Sequence, residues 1–233
     1  MNYLLFANSQ TGSPILTELV KAAPPKVVVT QLSNVDSWKM ILYRFLKNRL
    51  TIEDKLRFYY KIEFHDYNSL NTQRLKTIIE RNNIEIGFIT TFTHMIPKEL
   101  FELFPKGLYN FHPSLLPRHG GANPFFWVIF SEDEFTGTTC HRVTSVLDQG
   151  EIIIQTRYPV KNMNSCELFK LYVKDIKTII PDIVNNYEYF HKKLTKMERV
   201  EYDPKELPKL NISNEGFDKK VLRLYKRANK PIY

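Results

Sequence analysis

Cysteine is nearly absent. Only Cys140 and Cys166 occur among 233 residues, too few for a disulfide framework and without the paired spacing of a zinc site. Both are read as buried thiols. Long apolar runs are missing as well: Lys26-Val-Val-Val-Thr30 and Gly150-Glu-Ile-Ile-Ile154 fall far short of the roughly 18 residues that cross a bilayer. No membrane span is expected. The amino terminus, MNYLLFANSQTG, carries neither a basic leader nor a small-residue cleavage site, and the protein is expected in the cytoplasm. There is no internal repeat and no low-complexity tract.

Acidic residues are outnumbered, 25 against 33 basic ones, for a formal charge of +8. That balance suits an anionic partner: nucleic acid, a nucleotide, or a phosphorylated or polyglutamylated small molecule. Charge does not choose among them, because a solvated basic face has the same composition. Apolar residues make up 43% and charged residues 25%, as in soluble globular proteins, and the length suits one core with a small appendage.

Apolar runs alternate with helical spacings along the chain. Residues 2–7, 27–29, 84–90 and 108–111 read as strands, and segments with Ile15, Leu16, Leu19 and Val20, then Leu75, Ile78 and Ile79, then Leu100, Phe101 and Phe104 behind Pro97, read as helices. The second helical segment is expected to open at Asn68-Ser69. Such β-α alternation implies an α/β, Rossmann-like, mostly parallel sheet with flanking helices, whose ligands sit beyond the carboxyl ends of the strands. Further on, residues 123–130 read as a helix and 137–143 and 151–158 as strands. Asn164-Ser165 caps a long helix with Glu167 in its first turn, and Pro181 is expected to kink it. Residues 1–195 form the expected catalytic domain. Residues 196–233, basic and broken by Pro204, Pro208 and Pro231, form a small C-terminal extension available for dimerisation.

Asn110 and His112 stand two apart at the end of a strand, so both emerge on one face while Phe111 enters the core. Pro113 and Pro117 stiffen the turn after His112, and Leu116-Pro117 is the natural place for a cis bond. A second apolar run ends in Asp148-Gln149-Gly150, where Gly150 is expected to let the Asp148 carboxylate swing back toward His112. A carboxylate there would orient the imidazole and favour its charged form, and the Asn110 amide could donate to a developing oxyanion. Taken alone, the spacing also allows a turn asparagine and a structural histidine.

Asn110-Phe-His112-Pro-Ser-Leu-Leu-Pro117, Gly120-Gly-Ala-Asn-Pro124, Trp127, Thr136-Gly137-Thr-Thr139 and Asp148-Gln-Gly150 together resemble the formyltetrahydrofolate-dependent formyltransferases. The resemblance runs from about Ile84 to Gln155, roughly a third of the chain. It implies 10-formyltetrahydrofolate as formyl donor, His112 as general base, Asn110 as oxyanion donor and Asp148 as the group that orients His112, with no metal. It places the folate pterin against Phe92, Met95 and Ile96 and against Val146, Leu147 and Asp148. It also implies a homodimer.

Three acceptor amines belong to the family. The methionyl-tRNA enzymes carry a further C-terminal domain, for which the residues after Lys196 leave little room, so a nucleic-acid partner is not expected. The glycinamide ribonucleotide enzymes have a glycine-rich first loop, whereas residues 8–13, NSQTGS, hold one glycine. The sugar N-formyltransferases often show Asn-Pro-aromatic-aromatic-Trp after the motif, and Asn123-Pro-Phe-Phe-Trp127 is similar to that version. The implied substrate is a nucleotide-linked 4-amino-4,6-dideoxy sugar, dTDP-linked, used in surface polysaccharide (lipopolysaccharide O-antigen) biosynthesis. Ser9, Gln10, Thr11, Arg118, His119 and Asn123 are its candidate contacts. From other classes, an inactive nucleotide-binding module is opposed by the presence of all three catalytic residue types. A metal hydrolase using His112, His119, His141 and Asp148 matches no ligand spacing known for zinc.

Overall fold

The first apolar run folds as β1 (Tyr3–Ala7), with all five residues buried because strands of a parallel sheet are covered on both faces. In the computed structural model, which describes residues 1–8, 12–31, 47 and 52–196, the chain divides into two compact units. One comprises Met1–Phe111 with Ile176–Lys192, and the other His112–Asp175 with the described residues from Lys193 onward. Residues 197–233, most of the expected C-terminal extension, lie outside the described residues, as do Ser9, Gln10 and Thr11.

In the first unit, β1 is followed by α1 (Ser13–Ala22), β2 (Val27–Thr30), α2 (Ile52–Tyr60), β3 (Glu63–Asp66), α3 (Thr72–Arg81), β4 (Ile86–Thr90), α4 (Lys98–Phe101) and β5 (Leu108–His112). The strands run parallel in the order β3-β2-β1-β4-β5, with Leu5 opposite both Val28 and Phe88. Ile15, Leu16, Leu19 and Val20 of α1 are all buried, as their spacing requires. Neither α2 nor β3 was expected. β3 reads Glu-Phe-His-Asp and is half-buried throughout at the sheet edge, so it lacks the β-branched, apolar signature of an inner strand. The third helix starts later than Asn68-Ser69: those residues form a short 3-10 turn, and Asn71 caps α3 by accepting from Arg74 N at 2.8 Å.

The second unit contains α5 (Pro124–Phe130), β6 (Phe135–Thr136), β7 (Thr139–Arg142), β8 (Ile152–Gln155) and β9 (Tyr158–Pro159). Each of the two strands expected at 137–143 and 151–158 is interrupted. β7 pairs antiparallel with β8 and β6 with β9, and at the break the hydroxyls of Thr138 and Thr156 turn to donate to Asp175 Oδ2 at 2.6 and 2.7 Å. Phe126, Val128, Ile129, Val160 and Leu168 form the core here. Cys140 is buried as expected, but Cys166 is only partly so. Helix α6 (Ser165–His191) begins with a capping box: Asn164 Oδ1 accepts from the Cys166 and Glu167 amides, and Glu167 accepts from Asn164 N. Its backbone leaves helical dihedrals at Asn186 rather than at Pro181. Among the described residues, no helix is long and apolar enough to cross a membrane.

Candidate active site

Strand β5 alternates as the sequence requires. Tyr109 and Phe111 are buried in the core, and Asn110, half-buried, shares the other side of the strand with His112. The loop after β5 is held on both sides. The Leu116-Pro117 bond is cis, and a buried threonine braces the preceding turn: Thr139 Oγ1 donates to Ser114 O at 2.6 Å and accepts from Leu116 N at 3.2 Å. Gln155 Nε2 donates to Thr139 Oγ1 at 2.7 Å and to Leu116 O at 3.2 Å. The chain therefore leaves His112 along a fixed path.

Asp148 reaches the imidazole by a different backbone route from the one expected. Its own φ is 50°, in the left-handed region that costs a non-glycine residue on the order of 1 kcal/mol or more. Gly150 supplies close approach instead of the swing: a Cβ there would sit 1.7 Å from Arg142 O. The strained carboxylate is compensated by three groups. Gly121 N donates to Oδ2 at 2.8 Å, His112 Nδ1 lies 3.4 Å from Oδ2, and His141 Nε2 lies 3.3 Å from Oδ1. Despite its burial, these partners hold the Asp148 pKa down to about 2, so it is a carboxylate.

His112 is 5% exposed, and this burial is the dominant influence on it. Desolvation lowers its pKa below 6.5, against the opposing pull of Asp148 and of the His119 carbonyl. Asp148 does favour the charged form, as expected of a nearby carboxylate, but removing an imidazolium from water outweighs a carboxylate at 3.4 Å. The neutral ring has one proton to place. Nε2 lies 2.9 Å from His119 O, and a carbonyl oxygen can only accept, so Nε2 carries the proton. The lone pair is then at Nδ1, beside Asp148 Oδ2. A proton arriving at Nδ1 would create an imidazolium already paired with a carboxylate, which is the arrangement a general base needs.

The remaining expected contacts fall in several places. Arg118 and His119 share Asp133: Arg118 Nε donates to Oδ2 at 2.9 Å while its Nη2 meets Oδ1, and His119 Nε2 lies 2.8 Å from Oδ2. Asn123 is exposed, precedes α5 with φ 56°, and makes no side-chain cap. In the first unit Phe92 is half-buried, Ile96 buried and Met95 exposed; in the second, Val146 and Leu147 are exposed. Sequence reasoning missed Thr139 and Gln155 as braces of the loop, His141 as a partner of Asp148, and Asp133. No spacing marks them, since each meets the loop only through the folded backbone. Among the described residues, no group of three or more His, Cys, Asp or Glu side chains has the geometry to hold a metal ion.

The family model of the formyl transferases, Formyl_trans_N, matches residues 3–180, a stretch that contains all of β5, the braced loop and Asp148. The chain belongs to that family. Methionyl-tRNA formyltransferase of Pseudothermotoga lettingae is 30% identical over 130 residues, 55% of this chain and 43% of that protein. The chain thus spans about two fifths of the length of such curated relatives. Two solved formyltransferases share its fold. Glycinamide ribonucleotide transformylase 1 of Symbiobacterium toebii has a TM-score of 0.62 at 16% identity, over 85% of this chain and 95% of that one. The N-formyltransferase of Helicobacter canadensis, whose structure is a complex with folinic acid and dTDP-3-aminofucose, has a TM-score of 0.61 at 18% identity, over 98% of this chain and 80% of that one.

Proposed function

We propose that this formyl transferase family member moves a formyl group from 10-formyltetrahydrofolate to the primary amine of a nucleotide-linked 4-amino-4,6-dideoxy sugar. The observation that carries the transfer chemistry is the buried His112, with Nε2 2.9 Å from the His119 carbonyl and Nδ1 3.4 Å from Asp148 Oδ2. The acceptor nitrogen attacks the formyl carbon and passes one proton to Nδ1 of His112, where Asp148 stabilises the resulting cation. The Asn110 amide donates to the oxyanion as the carbon becomes tetrahedral. Collapse breaks the bond to folate nitrogen 10, and the proton held on His112 goes to that leaving nitrogen, so the products are the formamide and tetrahydrofolate. Phe92, Met95 and Ile96 in the first unit are proposed pterin contacts, and Val146 and Leu147 are proposed separately in the second.

The sugar acceptor is supported by Asn123-Pro-Phe-Phe-Trp127 and by the single glycine of residues 8–13, too few for a ribose-phosphate cradle of the glycine-rich kind. The formal charge of +8 suits the diphosphate of such a substrate. One observation favours a second reading: relatives matched by sequence include methionyl-tRNA formyltransferases, and the same charge suits tRNA. The test is a competition assay with 10-formyltetrahydrofolate and three amines, a dTDP-amino sugar, methionyl-tRNA and glycinamide ribonucleotide. Formylation of the sugar in preference to the others is expected. Selective use of either of the others overturns the sugar assignment.

A further inference from the structure

Asp133 and the His119 and Arg118 side chains it holds have no place in the chemistry above, yet His119 also supplies the carbonyl that meets His112 Nε2. Asp133 and His119 are both almost completely buried, with side chains 6% and 5% exposed. The His119 ring is held by Asp133 Oδ2 at 2.8 Å, and the Arg118 guanidinium closes over the same carboxylate. Asp133 is itself anchored: its amide donates to Val128 O at 3.1 Å, in the turn that ends α5, and Val128 is fully buried. His119 adopts φ 55°, a strained conformation that persists only where surroundings enforce it. Its carbonyl oxygen consequently points at His112 Nε2 from 2.9 Å. Ser114 Oγ supports the same strand of backbone, donating to Arg118 O at 2.8 Å.

That carbonyl has a competitor. A carboxylate beside a neutral imidazole draws the proton to the near nitrogen, and Asp148 Oδ2 lies 3.4 Å from Nδ1. With the proton at Nδ1, the nitrogen next to Asp148 has no lone pair and cannot act as base. The contact at Nε2 is the shorter of the two and within ordinary hydrogen-bond range, whereas the one at Nδ1 is beyond it. The tautomer is therefore decided by how firmly the His119 carbonyl is held.

We propose that Asp133 is a positioning residue: by fixing His119 and Arg118 it holds the His119 carbonyl on His112 Nε2, which keeps the His112 lone pair at Nδ1. The assignment rests on the role proposed for His112 and adds to it a device outside the reacting groups. The direct readout is the long-range 15N–1H spectrum of the His112 ring. In the wild-type protein the neutral ring is expected protonated at Nε2. Asp133→Asn, and separately His119→Phe, which retains the backbone carbonyl but loses the anchor, are expected to populate the Nδ1-protonated form. Both lower kcat about 10- to 100-fold, the range for groups that orient a catalytic ring, with KM for either substrate within about twofold. Asp133→Glu recovers part of the loss. A wild-type ring protonated at Nδ1 overturns the proposal, as does a folded Asp133→Asn with wild-type kcat, or one whose kcat falls with the His112 tautomer unchanged. If the wild-type protein formylates no amine, the functional reading fails, while the spectrum of His112 still decides the proposal.

Discussion

Of the histidine–carboxylate contacts between residues 112 and 148, the one at Asp133 and the one between His112 and Asp148 are built for different purposes. His119 and Asp133 meet at 2.8 Å, with the Arg118 guanidinium on the same carboxylate. His112 and Asp148 stand at 3.4 Å, and Asp148 spends its shorter contact, 2.8 Å, on the Gly121 amide. The tight pair holds its partners at ordinary hydrogen-bond distance, so its proposed effect is to fix backbone. The loose pair keeps a lone pair facing a carboxylate, so a proton can enter. The shorter contact anchors, and the longer one leaves room for a proton to enter.

This contrast can be broken at several points. His112→Ala removes the base and is expected to lower kcat by about 10²–10⁴-fold with the fold retained, by circular dichroism and thermal unfolding. Asn110→Ala removes the proposed oxyanion donor and is expected to cost about 10²–10³-fold in kcat, with KM nearly unchanged, because the interaction strengthens only as charge develops. Asp148→Asn is expected to cost on the order of 10²-fold. It also removes the strongest influence that raises the His112 pKa, so an NMR titration of that ring should move further below 6.5 than in the wild type. An upward shift would mean that Asp148 does not face His112 as a carboxylate.

The smallest expected effect is on stability. His112 is depressed in the fold, so its contribution is complete above 6.5 and falls as the pH drops below that value. Asp148 is also depressed, so its contribution is complete above 3.8 and is lost between there and about 2. The Asp148 component amounts to about 2 kcal/mol. Urea unfolding of the wild type should weaken across that acidic window, and Asp148→Asn should lack this component.

Much of the site was legible before folding. The alternation Tyr109-Asn110-Phe111-His112 places the polar pair on one side of β5, the prolines predict a stiff exit, and the run from Asn110 to Gly150 points to the family. What was not legible depends on backbone. Gly150 looked like a hinge, but the left-handed turn is made by Asp148 itself, since the glycine is needed where Arg142 O passes. The pull of Asp148 on His112 is visible in the motif, while the burial that outweighs it is not. Asp133 acts through a carbonyl, which every residue has, so no residue type could announce it. β3 was missed because an edge strand that is half-buried need not be apolar.

A buried, neutral His112 is the proposed base for formyl transfer to a sugar amine. That role is tested most directly by following labelled formyl from 10-formyltetrahydrofolate to a dTDP-linked 4-amino-4,6-dideoxy sugar, in one turnover, with wild-type protein and with His112→Ala side by side. Formamide product is expected from the wild type, and a rate at least about a hundredfold lower from the folded variant. Transfer by His112→Ala at a near wild-type rate, or no product from the wild type, would contradict it.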